Sequence, residues 1–143
     1  MKPQILFALV PVLASSAIAQ SGSVFGEWRG QAQYNATVRG KPDAAGHSVV
    51  AFTIVVQPGG KVLAASSENG CKFVGLATPG VVPSILNLDV MASGCSYSSF
   101  NQRLTGTLAH YEREKNTIVS LHSTEVGFAR VAGYFEIKAT LKR

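Results

Sequence analysis

Residues 26–39 read Gly26-Glu27-Trp28-Arg29-Gly30-Gln31-Ala32-Gln33-Tyr34-Asn35-Ala36-Thr37-Val38-Arg39. Trp28, Gly30, Ala32, Tyr34, Ala36 and Val38 alternate without a break with Glu27, Arg29, Gln31, Gln33, Asn35, Thr37 and Arg39. Successive side chains of a strand point to opposite faces, so this period of two predicts a strand from Glu27 to Arg39. One apolar face and one wet face are the mark of an antiparallel sheet.

Downstream the chain repeats this pattern between turn signals. Gly40-Lys41-Pro42-Asp43 ends the first strand, and a loop runs to His47. Ser48 to Gln57 is rich in β-branched residues and apolar on both faces, which predicts a well-covered strand. Pro58-Gly59-Gly60 turns it back into Lys61 to Ser66 as a hairpin. After Glu68-Asn69-Gly70, Cys71 to Thr78 is a strand with Cys71, Phe73 and Gly75 on one face. Pro79-Gly80 and Pro83 bracket a loop before Ile85, where Leu86, Leu88 and Val90 alternate with Asn87, Asp89 and Met91. Cys95 to Gln102 is small and polar, a loop or a frayed strand. Arg103 to Tyr111 turns Leu104, Gly106 and Leu108 inward, and a charged turn, Glu112 to Asn116, leads into Thr117 to Ser123. Glu125 to Ala132 reads as a loop carrying Phe128. The last strand, Gly133 to Leu141, buries Phe135, Ile137, Ala139 and Leu141.

These are about eight short strands joined by tight turns, with no helical period among them, so the fold class is all-β and antiparallel. An up-and-down barrel is the simplest topology, because closure removes exposed sheet edges; a two-sheet sandwich is the alternative.

Upstream, Lys2, the apolar run Ile5 to Leu13 and the small-residue site Ala17-Ile18-Ala19 read as a secretory signal covering residues 1–19. The apolar run is shorter than the roughly 20 residues a membrane span needs, and no later segment approaches that length. Removing 19 of 143 residues leaves a single domain, 20–143, of 124 residues. Its 12 basic residues after loss of Lys2, against 8 acidic ones, give a charge of +4. They are scattered singly, apart from Lys142-Arg143, as suits a soluble surface rather than a nucleic-acid groove. The expected location is periplasmic or secreted. In that setting two cysteines, Cys71 and Cys95, predict one disulfide. It would close a loop of about 25 residues, worth about 3 kcal/mol by loss of chain entropy.

The opening Gly26-Glu27-Trp28, followed by a run of hairpins, resembles the G-x-W start of the calycin group, the lipocalins and avidins. That resemblance implies a small antiparallel barrel with a ligand in its mouth. It also implies that Trp28 plugs one end beneath a basic side chain such as Arg130 or Arg143. The T-D-Y-x-x-Y signature of lipocalins is absent, and Trp28 is the only tryptophan, so the avidin set of ligand-facing tryptophans is absent too. No ligand identity carries over.

The residues that could carry chemistry are sparse. His110 and His122 fall on neighbouring strands. With the hairpin centred on Glu114, His110 faces Ile118 and His122 faces Gly106, about 13 Å apart along the strands. A shared zinc needs nitrogens about 2 Å from one ion, so no metal site is expected. There is no G-x-S-x-G elbow, and a disulfide consumes both thiols. Acids such as Asp43, Glu68, Glu112, Glu114 and Glu125 fall in turns; Asp89 is on a strand with apolar neighbours. Asn35-Ala36-Thr37 is a formal glycosylation sequon. No glycine-rich turn leads into a helix, and Trp28, Tyr34, Phe73 and Phe135 sit on expected inward faces, so neither a phosphate loop nor a stacking surface for nucleic acid is expected. No catalytic residue and no cofactor are assigned.

The reading is thus a non-enzymatic exported barrel that binds a small or extended ligand, or an envelope partner, through one open end. The small inward residues Gly30, Ala32, Ala36, Gly75 and Gly106 would either leave a cavity above about 300 Å³ or ease close packing of coiled strands. The alternative is an inhibitor or interaction protein acting through an exposed loop, Pro79 to Pro83 or Glu125 to Ala132. An uncharacterised enzyme is the third possibility. The cysteines carry one further expectation. In a strict meander they would begin strands separated by one other, about 9.6 Å apart, whereas a disulfide spans at most about 7 Å between Cα atoms. Either Cys95 leaves the sheet and folds over the end of the strand from Ile85 to Ala92, which the weakly patterned Ser96 to Gln102 favours, or the pairing order is not a simple meander.

Overall fold

The computed structural model describes residues 23–124 and 133–143. The expected signal and the expected Glu125 to Ala132 loop lie outside the described residues. Nine strands follow in order: β1 Gly26–Val38, β2 Lys41–Pro42, β3 Ser48–Val56, β4 Lys61–Ser66, β5 Cys71–Pro79, β6 Ile85–Ser93, β7 Arg103–Tyr111, β8 Asn116–Ser123 and β9 Gly133–Lys142. They form one sheet in the order β2-β1-β3-β4-β5-β6-β7-β8-β9, and β1 also pairs with β9. Eight strands therefore close into an up-and-down antiparallel barrel, and the two-residue β2 is an appendage of β1. One sheet closed on itself replaces the two-sheet alternative.

The long β1 is the closing strand. Gly26 to Tyr34 pair with β3, and Arg29 to Val38 pair with β9, so its 13 residues serve both neighbours with a stagger. Such stagger is what tilts barrel strands and lets the sheet close. Burial follows the alternation: Trp28, Ala32, Tyr34 and Ala36 are buried, and Glu27, Arg29, Gln31 and Gln33 are exposed. Arg39 and Gly40 both adopt positive φ, 53° and 79°, and make the two-residue turn into β2. That backbone geometry matches the twist of hairpin strands.

Inside the barrel Trp28, Tyr34, Phe52, Phe73, Phe100, Leu104, Leu108, Leu121, Ile137 and Leu141 are all under 2% exposed. Fully burying side chains of this size is worth roughly 1.5–3 kcal/mol each, and this layer is the main source of stability.

The small inward residues mark close approach of neighbouring strands. A Cβ added at Gly106 would overlap the Ser120 carbonyl group and lie 3.0 Å from Leu121 Cα. At Gly30 it would meet the Thr140 carbonyl group and lie 3.0 Å from Leu141 Cα, and at Gly75 it would lie 2.6 Å from Val90 Cα. The missing side chains are thus filled by adjacent backbone, which allows tight coiling of the wall.

Of the two readings of Cys95 to Gln102 the loop holds, with a single 3₁₀ turn at Ser98–Phe100. One detail of the strand pairing differs from expectation. The β7–β8 register is offset by one residue, with His110 opposite Thr117 and Thr105 opposite His122. The hairpin turns over Glu112 to Lys115, with Lys115 at φ 57°, so its centre lies between Arg113 and Glu114. A shift of one residue reverses the face of a side chain. His122, opposite Thr105 rather than Gly106, therefore faces out, while His110 lies inward with Leu104, Gly106 and Leu108 through the alternation of its own strand.

Candidate functional site

The barrel has two differently built ends. At the first, Trp28 is 1% exposed, and its indole Nε1 donates to the Val24 carbonyl at 3.0 Å. The Arg143 guanidinium lies 3.9 Å from the ring centroid of Trp28 and also donates to the carbonyls of Phe25 and Ser23. A cation over an indole face is stabilising, and here the same group ties the segment before β1 to the residue after β9 across the opening. Of the two basic residues suggested for this place, Arg143 occupies it; Arg130 lies outside the described residues. The His110 imidazole packs on Trp28 with ring centroids 5.0 Å apart, its Nδ1 3.0 Å from Thr117 Oγ1. The inward position of His110 went unread, although its even spacing from Leu104 and Leu108 was the available signal.

The loop joining β5 and β6 stands beside this end. Val81 is 91% exposed and Val82 46%. Backbone hydrogen bonds hold the loop: Gly80 N donates to Ile85 O, Ile85 N to Val82 O, and His110 N to Ser84 O. Between it and the chain's lead-in lies a groove of about 340 Å³, lined by Val24, Phe25, Pro79 to Pro83, Ile85 and Leu86. Every lining side chain is apolar. A groove built this way offers area and shape to an apolar segment and provides no acid, base or nucleophile.

The second end is stoppered. Cys71 and Cys95 form a disulfide, with Cα atoms 4.1 Å apart. Cys95 leaves the sheet just beyond Ser93, which pairs with Lys72, so the bond closes the open end of the β5–β6 hairpin. This is the geometry expected from the strand spacing. Ser96 N and Oγ both donate to the Asn69 carbonyl, at 2.8 and 3.0 Å, and Cys95 N donates to Asn101 Oδ1 at 2.8 Å. These bonds hold the loop against the barrel while Phe100, 1% exposed, enters the opening. Phe100 meets Tyr34 and Phe135 edge-on, at centroid distances of 5.2 and 5.6 Å, and Tyr97 at 5.8 Å. Phe100 is the one large wholly apolar residue between Ser96 and Gln102, and that was the only sequence signal for its role.

Both tyrosine hydroxyls at this end are paired. Tyr34 Oη and Ser66 Oγ share a hydrogen bond of 2.6 Å, both buried. Burial pushes the Tyr34 phenol up, opposed by hydrogen bonds from Ser66 and Asn69. Tyr97 Oη donates to Asp43 Oδ2 at 2.5 Å, and this bond to a carboxylate, followed by desolvation, also raises the Tyr97 phenol. A second surface groove, of about 500 Å³, is lined by Asn35, Ala36, Thr37, Pro42, Asp43, Ala44, His47 and Glu136. The sequon asparagine lies here, with Asn35 Oδ1 2.9 Å from His47 Nδ1.

The other titratable groups are dispersed. His122 stacks on Tyr134 on the outer wall, on the opposite face from His110. Asp89 makes two hydrogen bonds to Arg103, at 2.9 and 2.7 Å, which hold its carboxyl below the usual range. Among the described residues no three His, Cys, Asp or Glu side chains gather where they could hold a metal, and no helix is long and apolar enough to cross a membrane. No protein-family model matches the chain, and no curated protein or solved structure is significantly similar to it.

Proposed function

We propose that this chain is an exported, non-enzymatic binding protein of calycin type that grips an extended apolar segment of an envelope partner protein at the Trp28 end. The observation that carries the reading is the apolar groove beside the Gly80 to Ser84 connection, with Val81 almost wholly in water at its rim. An exposed, contiguous apolar surface on a small domain is costly to maintain and characteristic of docking sites. The loop that presents it is pinned by three backbone bonds, so little conformational entropy is lost on binding.

The barrel interior is a poorer candidate for the ligand. Phe100 and its aromatic neighbours fill one end, Trp28 fills the other, and the inward glycines are occupied by adjacent backbone. The dispersion of His110, His122, Asp89 and Asp43 favours binding over catalysis, since acid–base and nucleophilic mechanisms need groups within hydrogen-bond reach of one another. Export is supported by the signal-like residues 1–19 and by the disulfide, which persists in oxidising compartments.

The test is a comparison of the immobilised protein with a Val81→Asp/Val82→Asp variant against envelope extract. A partner retained by the first and lost by the second, at equal melting temperature, supports the proposal. A partner held equally by both removes the loop from the reading. No partner on either would remove the proposal itself.

A further inference from the structure

On the outer wall the strand register assembles a second surface that no local stretch of sequence displays. Leu63 pairs with Val74, and Val74 with Met91, so these three stand in one row across β4, β5 and β6. Two residues along the strands, Lys61, Leu76 and Asp89 form the adjacent row. Leu63, Val74, Leu76 and Met91 are 39%, 55%, 61% and 55% exposed. The outward positions on the opposite wall are polar: Gln31 and Gln33 on β1, Lys138 and Lys142 on β9. Apart from Val49 on β3, the outward aliphatic side chains of the strands that are well exposed are concentrated on β4, β5 and β6, the distribution that marks an interaction surface.

We infer that this face binds a second copy of the chain about a two-fold axis parallel to β5. Such an axis sets β4 of one copy against β6 of the other at the same level along the strands. Leu63 then faces Met91 of the second copy, Val74 and Leu76 face their own equivalents, and Lys61 faces Asp89 of the second copy. One operation therefore matches apolar to apolar and positive to negative, twice over, as an isologous interface requires. Turning the axis across the strands instead would set Leu76 against Lys72 if centred on Val74, or Lys61 against Leu63 and Asp89 against Met91 if centred between the two rows. Both oxygens of Asp89 accept from Arg103 of the same copy, and each keeps a further lone pair that Lys61 of the second copy can share. Sheets packed face to face lie about 10 Å apart, within reach of a lysine that extends toward a carboxylate. The barrel wall is convex, so contact is confined to β4, β5 and β6, and the dimer is weak. Lys72 meets its own equivalent at the rim, where water screens the repulsion.

Sedimentation velocity of the purified, oxidised protein over a wide concentration range tests the inference. A monomer–dimer equilibrium is expected, with dissociation constants raised at least tenfold by Val74→Glu and by either Lys61→Glu or Asp89→Lys. The double variant Lys61→Glu/Asp89→Lys should restore dimerisation, because the charges are exchanged rather than lost. A melting temperature within a few degrees of the parent shows that each variant is folded, and the charge variants, on exposed positions, serve if Val74→Glu is not. A protein that stays monomeric at all concentrations overturns the inference, as does a dimer indifferent to all these changes. Cosedimentation of a monomer with phosphatidylglycerol vesicles, abolished by Val74→Glu, would assign the face to anionic lipid and overturn it equally.

Discussion

Replacing Gly106 by alanine separates packing glycines from cavity-lining ones. The new Cβ would overlap the Ser120 carbonyl group and lie 2.8 Å from Ser120 C and 3.0 Å from Leu121 Cα. Carbon atoms pack best at about 3.5–4.0 Å, so β7 and β8 must separate by roughly half an ångström or more at the centre of their ladder. Neither neighbour is the free end of a flexible side chain, so the backbone itself has to move. Overpacking of this kind costs typically 1–3 kcal/mol. Alanine recovers part of it, about 0.4–1 kcal/mol, by restricting the unfolded chain. The net expectation is a loss of about 1–2 kcal/mol, or roughly 4–9 °C in melting temperature for a domain of this size. Gly59 is the control. An added Cβ there has nothing within 4 Å, so Gly59→Ala should be neutral or slightly stabilising. Chemical and thermal unfolding followed by the fluorescence of Trp28, the sole tryptophan, reads both. If Gly106→Ala is as stable as Gly59→Ala, the wall is not held at contact distance and the inward glycines do line free space.

Reduction of Cys71–Cys95 should cost about 3 kcal/mol and raise amide exchange first over Gly94 to Gln102 and the start of β5, leaving β8, β9 and β1 protected; a uniform rise in exchange by mass spectrometry would contradict the clasp. The buried Tyr34 phenol titrates above its ordinary value near 10, so the fold favours the neutral form. The associated stability is intact below about pH 10 and falls as pH rises from there towards the folded value. Tyr34→Phe should cost about 1–2 kcal/mol at neutral pH by leaving Ser66 unpaired, and should make the alkaline decline in denaturation midpoint shallower. An unchanged alkaline slope would refute the assignment.

The faces of the strands were legible in the sequence because alternation is local: a residue's side of a strand is set by its neighbours two positions away. Trp28, Tyr34, Phe73, Leu108 and Ile137 lie inward for that reason alone. The disulfide partnership was equally legible, since the chain holds only two cysteines, and strand spacing placed Cys95 outside the sheet. The groove at the Trp28 end was half legible. Pro79, Gly80 and Pro83 announced a loop, but the facing wall comes from Val24 and Phe25, more than fifty residues earlier in the chain.

By itself, then, the sequence determined an all-β antiparallel chain, its inward faces and its staple. Tertiary structure alone decided closure through β1 and β9, the filling of the small-residue positions by adjacent backbone, the pairing of His122 with Thr105, and the apolar rows across β4, β5 and β6. Each of these depends on the register between paired strands, whether consecutive or, as for β1 and β9, at opposite ends of the barrel sequence. Register is set by the stagger of the whole barrel and by turn geometry, and one residue at Glu112 to Lys115 decides whether His122 stands opposite the inward Gly106 or, as here, opposite Thr105.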